Sequence, residues 1–567
     1  MSVPKGRISR VAVQAAARVA LWHAQYQLRQ FLQGLPSCER VQDQFLRKLL
    51  LANQNSDFGR DHRFERIHSY ADFVRAIPPA NYSYHAPYIE RCTSGDAKAL
   101  LGPSQKLLMF ATTSGTTSAP KYIPVTSRFM ATYHRGWNIW TVKYLADHPE
   151  AFLRRVLQIT SPTPTERTSG GYLCGAMSSL QARHQKRMVK YFYATPSEIA
   201  DIAEIQARCY VTMRFALMGD VGTIVTPNPS TLILLAQLVD SQAQSLIRDI
   251  HDGGIDESVE LPSGLRNQLL ARLRPNRKRS LELERLLEQW GCLLPKHYWD
   301  VASLGHWMGG TVSLYLPRIR HYYGDKPIRD IGLLASEGRM SIPLEDHTAA
   351  GPLDIFANFY EFIPEDELAS VQLDPGATTL PEGLTILRAH ELKKGNHYYI
   401  LLSNHTGLCR YHIGDVIRVT DFIGTTPVIE FLSRGTYTSS ITGEKLTEYQ
   451  VVTAVGQATS QEGGDIATFT MVPVWGDPPY YLMRFERPQA TATETLARLA
   501  ERIDSQLRES NPEYDAKRQS RRLGPLQIRT ASAQPANAKK QAGAMHHTQY
   551  KHRFLFNQPI SHEETLS

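Results

Sequence analysis

The sequence predicts an α/β protein with a smaller α+β region toward its C-terminal end. Three observations predict this. Residues 126–300 alternate helical stretches with short apolar strands, at 154–159 and 223–225 among others, which is the pattern of a layered α/β core. Residues 296–422 are dense in strand-like runs, at 298–302, 331–335, 356–363, 398–402 and 416–420. From 427 onward a second region carries two strands, 469–474 and 480–485, and a helix at 494–509.

The elements follow in order. Residues 1–38 contain several Arg and no Asp or Glu. Such a composition suits an organellar transit peptide. Val19, Trp22, Tyr26 and Leu28 stand near helical spacing and the pattern runs on into Phe31, which favours an amphipathic surface helix. Residues 40–110 read as helical and then loop-rich, punctuated by Ile77-Pro78-Pro79 and Ala86-Pro87-Tyr88. The apolar runs 107–110 and 122–125 read as buried strands. Residues 269–290 read as a charged amphipathic helix, with the Arg/Lys run at 272–279 on its solvated face. Residues 530–548, rich in Ala, Gln, Lys and Gly, read as a mobile loop.

Bulk properties narrow the function. The chain has 567 residues, 42% of them hydrophobic, enough for a large core and for two to four domains by length. Net charge is +8 with a sequence pI near 9.0, a balance that suits anionic ligands such as ATP and carboxylic acids. There is no basic stripe interleaved with aromatics, so nucleic acid is not implied. Cys38, Cys92, Cys174, Cys209, Cys292 and Cys409 are scattered without a C-x-x-C pair, so free thiols in a reducing cytoplasm are expected and zinc is not. The longest apolar run, 232–239, is too short to span a bilayer. A monomer is the default.

The stretch Thr113-Ser114-Gly115-Thr116-Thr117-Ser118-Ala119-Pro120-Lys121 lies between the two strands at 107–110 and 122–125. Small hydroxyl and glycine residues in a row cannot fill a core, but their backbone N–H groups, hydroxyls and one lysine can surround a phosphate. The rival pattern is G-x-x-x-x-G-K-[ST]. Gly115 to Lys121 has its length, yet Pro120 stands where the second glycine belongs and Tyr122 where the magnesium-binding hydroxyl belongs. Proline has no N–H to offer.

Four further segments fit a phosphate loop. Ala335-Ser336-Glu337-Gly338 ends an apolar strand, where α/β sheets place ligand-binding groups, and Glu337 suits the Mg²⁺ that accompanies ATP. Phe359-Tyr360-Glu361-Phe362-Ile363-Pro364 is an aromatic strand that suits either a nucleotide wall or a core. Gly414-Asp415 precedes a strand. Asp415 can accept hydrogen bonds from ribose hydroxyls or simply serve the turn. Lys551, in Gln549-Tyr550-Lys551-His552-Arg553, follows the 530–548 loop and is suited to delivery into a site built elsewhere.

The order T-S-G-T-T-x-x-P-K resembles the ATP loop of the adenylate-forming superfamily of acyl-CoA synthetases, luciferase and peptide-synthetase adenylation domains. With Gly407-Leu408-Cys409-Arg410-Tyr411-His412-Ile413-Gly414-Asp415, the Glu361-Phe362-Ile363-Pro364 strand and the terminal Q-Y-K-x-x-R, the chain resembles the auxin-responsive acyl acid amido synthetases. That family includes the plant jasmonate- and auxin-conjugating enzymes and bacterial relatives. The similarity covers about residues 40 to 555.

The resemblance implies a large N-terminal domain, residues 1–433, of the multi-layer adenylate-forming type, and a small mobile C-terminal domain, residues 434–567. ATP and a carboxylic acid give an acyl-adenylate and pyrophosphate. An amine, usually an amino acid, then gives an amide and AMP. By position Thr113, Ser114, Gly115, Thr116, Thr117 and Lys121 hold phosphate. Ser336 and Glu337 serve the nucleotide and Mg²⁺, Asp415 the ribose, and Arg434 the hinge and nucleotide. Lys551 resembles the C-terminal catalytic lysine, with Lys445 as a second candidate. Two departures stand out. Relatives carry glycine where Ser118 stands. They also carry a tyrosine that stacks on adenine where Leu333-Leu334-Ala335-Ser336-Glu337 has none; either Leu333 packs on the base or Tyr360 substitutes. Two other readings stay open: an acyl-CoA synthetase sharing the adenylate step, and an inactive ligand sensor. Tyr133, Arg135 and Trp137 can touch an aromatic acid, although core or surface roles suit them as well.

Overall fold

The computed structural model describes residues 10–113, 121–159, 164, 166–184, 192–371, 377–435, 438–442, 444, 446–461, 469–486, 493–531, 554–557 and 560–561. The chain divides into two compact units. One comprises residues 1–308, 319–413 and 417–431, the other 309–318, 414–416 and 432–567.

The first unit opens with the long helix α1 (Arg10–Gly34), followed by α2 (Cys38–Asn53), α3 (Asp57–Asp61), α4 (Tyr70–Ala76) and α5 (Tyr82–Thr93). Ser69 caps α4, with Asp72 reaching back to form a capping box, and Asn81 caps α5. Strands β1 (Leu107–Thr113) and β2 (Lys121–Thr126) come next, and Thr126 caps α6 (Ser127–Asp147) through the Phe129 N–H. Then follow β3 (Arg155–Gln158), β4 (Cys174–Gly175), β5 (Val221–Val225), β6 (Ser303–Gly305) and β7 (Ile328–Arg329). Next come β8 (Leu334–Ala335), β9 (Gly338–Arg339), β10 (Gly351–Pro352), β11 (Phe359–Pro364), β12 (Leu387–Arg388), β13 (His397–Ser403), β14 (Tyr411–Ile423) and β15 (Thr426–Arg434).

Among the described residues these strands form three larger sheets beside the two-stranded β8–β9 hairpin. β3, β5, β6 and β7 make a parallel sheet joined through helical connections, as the alternation in 126–300 predicts. β1 lies between β2 and β4. The sheet β10-β15-β14-β13-β11-β12 collects the strand-dense stretch, with β11 antiparallel to both β12 and β13. One apolar core joins α4, α5, β1, β2 and the start of α6 to Phe359, Leu408 and Tyr411; another joins α1, α2 and the second half of α6 to β11, β13 and Ile417.

Distant parts of the sequence are tied by hydrogen bonds. The Cys38 N–H donates to Thr425 Oγ1 at 3.0 Å, and the Thr426 hydroxyl donates to the Leu35 carbonyl. Gln42 Nε2 donates to the carbonyls of Ile355 and Asn358 at 2.7 and 2.8 Å, and its Oε1 accepts the Tyr360 N–H at 2.9 Å.

Some expectations shift. The strand expected at 298–302 begins at Ser303, because Pro295 starts a helical turn, Pro295–Tyr298, just before it. The strand expected at 331–335 shortens to β8, since Gly332 sits at φ +89° and turns the chain. The single helix expected at 269–290 is two helices, Ser263–Leu270 and Arg277–Trp290, separated at Pro275. Arg279 departs from the expected solvated face. Its Nε donates to the Leu217 carbonyl at 2.9 Å and its Nη2 to the Tyr298 carbonyl at 3.0 Å.

In the second unit β16 (Thr438–Ser439) pairs with β17 (Leu446–Thr447). β18 (Phe469–Trp475), β19 (Tyr480–Glu486), β20 (Gln527–Ala531) and β21 (Ile560–Ser561) form a sheet in the order β20-β19-β18-β21. Helices Glu448–Gln461 and Thr493–Ser510 bury their apolar faces with Phe469, Tyr481 and Phe554 in one core. The two strands and the helix expected here are present within a residue or two of their predicted limits. The mobile loop expected at 530–548 lies almost wholly outside the described residues. All six cysteines are free, four of them buried. No helix among the described residues is long and apolar enough to cross a membrane.

Candidate functional site

β1 and β2 pair antiparallel, with Thr112 opposite Tyr122 and Thr113 opposite Lys121. Ser114, Gly115, Thr116 and Thr117 lie outside the described residues, as does the side chain of Thr113. The described strands nonetheless bring the two ends of that stretch face to face. The expected strand–loop–strand arrangement is therefore present at both flanks.

Lys121 is positioned by α5. Its Nζ stands 5.5 Å from the centroid of the Tyr82 ring. The Tyr82 hydroxyl accepts the Tyr122 N–H at 2.9 Å and donates to the Tyr122 carbonyl at 3.3 Å, so one phenol grips the peptide next to the lysine. Burial raises the Tyr82 hydroxyl above its ordinary range, and the Glu337 carboxylate is among the charges that add to this. His412 belongs to the same neighbourhood. Burial, with Lys121 adding, pushes its imidazole down to about 4, so the ring is neutral at pH 7. Its backbone N–H donates to the Ala80 carbonyl at 2.8 Å, and its ring stands 5.3 Å from that of Tyr399.

Glu337 lies at the tip of the β8–β9 hairpin, where Leu334 faces Arg339 and Ala335 faces Gly338, leaving Ser336 and Glu337 as the turn. Ser336 is half-buried and Glu337 is buried. An amide network holds this tip. Asn404 Nδ2 donates to the Glu337 carbonyl and to Asn358 Oδ1, both at 2.7 Å, and Asn358 Nδ2 donates to the Arg339 carbonyl at 2.8 Å. Asn404 Oδ1 accepts the N–H and hydroxyl of Thr406 at 3.0 and 2.6 Å. A Cβ on Gly338 would stand 3.0 Å from Asn358 Oδ1, so glycine lets the network close over the hairpin. The network fixes the backbone of the turn that carries the Glu337 carboxylate, and a carboxylate has the donor chemistry for a cation held jointly with phosphate oxygens. Mg²⁺ is usually bound that way, by one or two carboxylates plus phosphates, and the residues fit it. Among the described residues no three metal-binding side chains cluster.

The remaining predicted residues separate. Tyr360 gives up its expected role as a nucleotide wall. It is 1% exposed, in the core of the β10–β15 sheet. Its hydroxyl accepts from Asn358 Nδ2 at 2.7 Å and lies within 3.2 Å of the Asp354 carbonyl. Packing on every side leaves no ring face for a base. Asp415 is buried on β14 and belongs to the second unit. Arg434 ends β15, its side chain outside the described residues, as are Lys445 and Lys551. Three residues past Lys551 the chain is anchored within the second unit: Glu448 Oε1 accepts the Phe554 N–H at 2.6 Å. Tyr133 is buried; Arg135 pairs with Asp354 at 2.7 Å; Trp137 is half-buried beneath the Arg339 guanidinium.

Tyr82, Asn358, Asn404 and His412 are the positioning residues that sequence reasoning missed. Asn404-His405-Thr406-Gly407 is a polar cluster directly after an apolar strand, and that turn signal is the clue available without a structure.

The model of the GH3 family N-terminal domain matches residues 27–328, that of the GH3 family central domain 352–434, and that of the GH3 family C-terminal domain 449–560. A jasmonoyl–L-amino acid synthetase, GH3.5 of Oryza sativa subsp. japonica, is 24% identical over 518 residues, covering 86% of this chain and 87% of the relative. An indole-3-acetic acid-amido synthetase, GH3.10 of Arabidopsis thaliana, is 22% identical over 531 residues, covering 86% of this chain and 87% of the relative. In fold, the chain matches the acyl acid amido synthetase AtGH3.15 in complex with 2,4-DB. The TM-score is 0.78 at 18% identity, across 100% of this chain and 96% of that one.

Proposed function

The chain belongs to the GH3 family, and we propose that it is an ATP-dependent acyl acid amido synthetase working on a small carboxylic acid and an amine, most simply an amino acid. In the first half-reaction a carboxylate oxygen attacks the α-phosphorus of ATP, and the bond from that phosphorus to the bridging oxygen breaks. Acyl-adenylate forms, and pyrophosphate leaves with the electron pair. In the second, the amine nitrogen attacks the acyl carbon, loses a proton, and the acyl–oxygen bond breaks to release AMP. Water must be kept from the adenylate between the two.

One observation supports this reading: Lys121, at the end of the hydroxyl loop, stands 5.5 Å from the centroid of the Tyr82 ring, and the charge of Glu337, at the tip of its hairpin, reaches the hydroxyl of the same tyrosine. The first half-reaction brings two anions together, and fixed cations are what offset that charge. Lys121, with the hydroxyls and N–H groups of Thr113, Ser114, Gly115, Thr116 and Thr117, is assigned to the phosphates, and Ser336 and Glu337 to the metal edge. Bound Mg²⁺ would supply charge neutralisation on the phosphates. Asp415 is assigned to the ribose, Arg434 to the nucleotide and Lys551 to adenylate formation, with Lys445 the lesser candidate. The activities for which the relatives are named, jasmonoyl–amino acid and indole-3-acetic acid-amido synthesis, support the amide ligase. A cytoplasmic monomer that binds neither nucleic acid nor membrane completes the proposal.

The test is acid-dependent pyrophosphate release across a panel of carboxylic acids, followed by product mass with an amino-acid panel and with coenzyme A. An amide product supports the ligase. A thioester alone makes the chain an acyl-CoA synthetase, and no release with any acid makes it a sensor.

A further inference from the structure

His412 stands near the start of β14, and Lys121, which opens β2, is the charge that reaches its ring. The imidazole Nε2 is covered by protein and has no hydrogen-bond partner. One short piece of chain locates both residues. The Ala80 carbonyl accepts the His412 N–H at 2.8 Å, and the Ala80 N–H donates to the Arg410 carbonyl at 3.0 Å. Two residues on, Tyr82 grips the Tyr122 peptide through its hydroxyl and lies 5.5 Å from Lys121 Nζ by its ring centroid. Tyr399 of β13 stands on another side, its ring 5.3 Å from the imidazole. Burial, with Glu365 adding, pushes the Tyr399 hydroxyl up to about 12, so it is a neutral phenol at pH 7. The imidazole therefore meets one cation and one uncharged ring, and a lysine alone opposes its protonation. A covered polar nitrogen without a partner is costly unless a partner arrives. The polyphosphate assigned to Lys121 would reverse the local charge, and beside an anion the imidazolium, with two N–H donors, is the favoured form.

We propose that His412 is a second ligand for the triphosphate of ATP, beside Lys121, and that it takes one proton from solvent as the nucleotide binds. This rests on the ligase reading above. The imidazolium donates to a phosphate oxygen and adds a cation where the carboxylate must approach phosphorus. When pyrophosphate leaves, the anion is gone and the proton returns to solvent. Lys121 holds the phosphates at any pH; His412 adds its charge only while they are present.

The experiment titrates ATP with Mg²⁺ into the full chain without an acid substrate, so that no adenylate forms. Calorimetry in buffers of different ionisation enthalpy counts the protons taken up. Near pH 6 the wild-type protein is expected to take up about half to one proton more than His412→Gln, and its Kd for ATP to tighten roughly 3- to 30-fold between pH 8 and pH 6 beyond any change in the variant. A purely structural role would weaken binding alike at both pH values and leave the proton count unchanged, and that result overturns the proposal. If His412→Gln does not fold, His412→Lys decides: its charge is present at both pH values, so the extra uptake and the pH dependence are lost, and a wild-type proton count overturns the proposal. Inorganic triphosphate is expected to reproduce the uptake in wild-type protein, and adenosine is not. Equal uptake with adenosine overturns the phosphate assignment. Wild-type protein that binds no ATP loses the ligase reading, and this inference falls with it. ATP binding with a proton count indifferent to His412 sinks this inference alone.

Discussion

Arg410 and Glu361 form an ion pair that water does not reach: Nε and Oε2 are 2.9 Å apart and each residue is 1% exposed. The pair joins the G-L-C-R-Y segment to β11. Glu361 Oε1 also accepts the Tyr70 hydroxyl at 2.8 Å, and Arg410 Nη1 donates to the Ile77 carbonyl at 2.7 Å. Arg410 sits at φ +47°, a backbone conformation held by the Ser403 hydroxyl oxygen accepting its N–H and by the Ala80 N–H donating to its carbonyl.

Removing one member strands the other charge in the core. Arg410→Met or Glu361→Gln is expected to cost about 3–5 kcal/mol of stability, and the double substitution less than the sum of the two. Urea unfolding of the four proteins measures this. Additive losses would show that the two side chains are not coupled.

Four histidines, His85, His306, His405 and His412, have imidazole pKa values pushed down to about 4, chiefly by burial. The unfolded chain protonates them near 6.5 and the folded chain only near 4, so between those values the unfolded state binds more protons. Stability is fully present above pH 6.5 and falls on acidification toward pH 4, by about 1.4 kcal/mol per pH unit for each histidine. Denaturation midpoints at pH 7 and pH 5 check the direction. His412→Gln should flatten the slope by one proton, and an unchanged slope would contradict burial of that ring.

Glu337→Gln keeps the shape of the hairpin tip and removes its charge. Acid-dependent pyrophosphate release is expected to fall about 100-fold or more, with a raised requirement for Mg²⁺. Asn404→Ala loosens the same tip from behind and should cost about 10- to 100-fold. Titrating Mg²⁺ at saturating ATP separates the two: a wild-type Mg²⁺ dependence in Glu337→Gln removes that residue from the metal edge.

Lys551→Ala is expected to cripple adenylate formation while leaving amide formation from supplied acyl-adenylate largely intact. Pyrophosphate release and amide yield, assayed separately, read the two steps. Equal losses in both would refute the assignment.

Much of the scaffold was legible because period and punctuation signal it directly. The β1 and β2 runs, β13, β18, β19 and the helix Thr493–Ser510 follow their apolar patterns closely. Strand ends set by a single residue were not: proline displaced β6, and a left-handed glycine cut β8 short. Near the candidate site, the place of Glu337 just past an apolar strand was legible, since the structure has it in the turn after β8; its metal role is a proposal. Tyr82 and Asn404 were not legible, because they act through distant backbone that sequence spacing does not bring near. The G-L-C-R-Y segment, which carried part of the resemblance to the family, is built into the core. Leu408, Cys409, Arg410 and Tyr411 are all buried, and Gly407 sits at φ +89° where a Cβ would meet Leu100 Cγ at 2.5 Å.

The bonds from Leu35, Cys38 and Gln42 to Ile355, Asn358, Thr425 and Thr426 set a clock on biosynthesis. At about 5–20 residues per second, roughly 16 to 78 seconds separate the synthesis of Leu35, Cys38 and Gln42 from that of their partners, 313 to 391 residues later. Through that interval the parts of α1 and α2 that pack on β11, β13 and Ile417 wait uncovered, so newly made chains should depend on chaperones far more than the finished protein does.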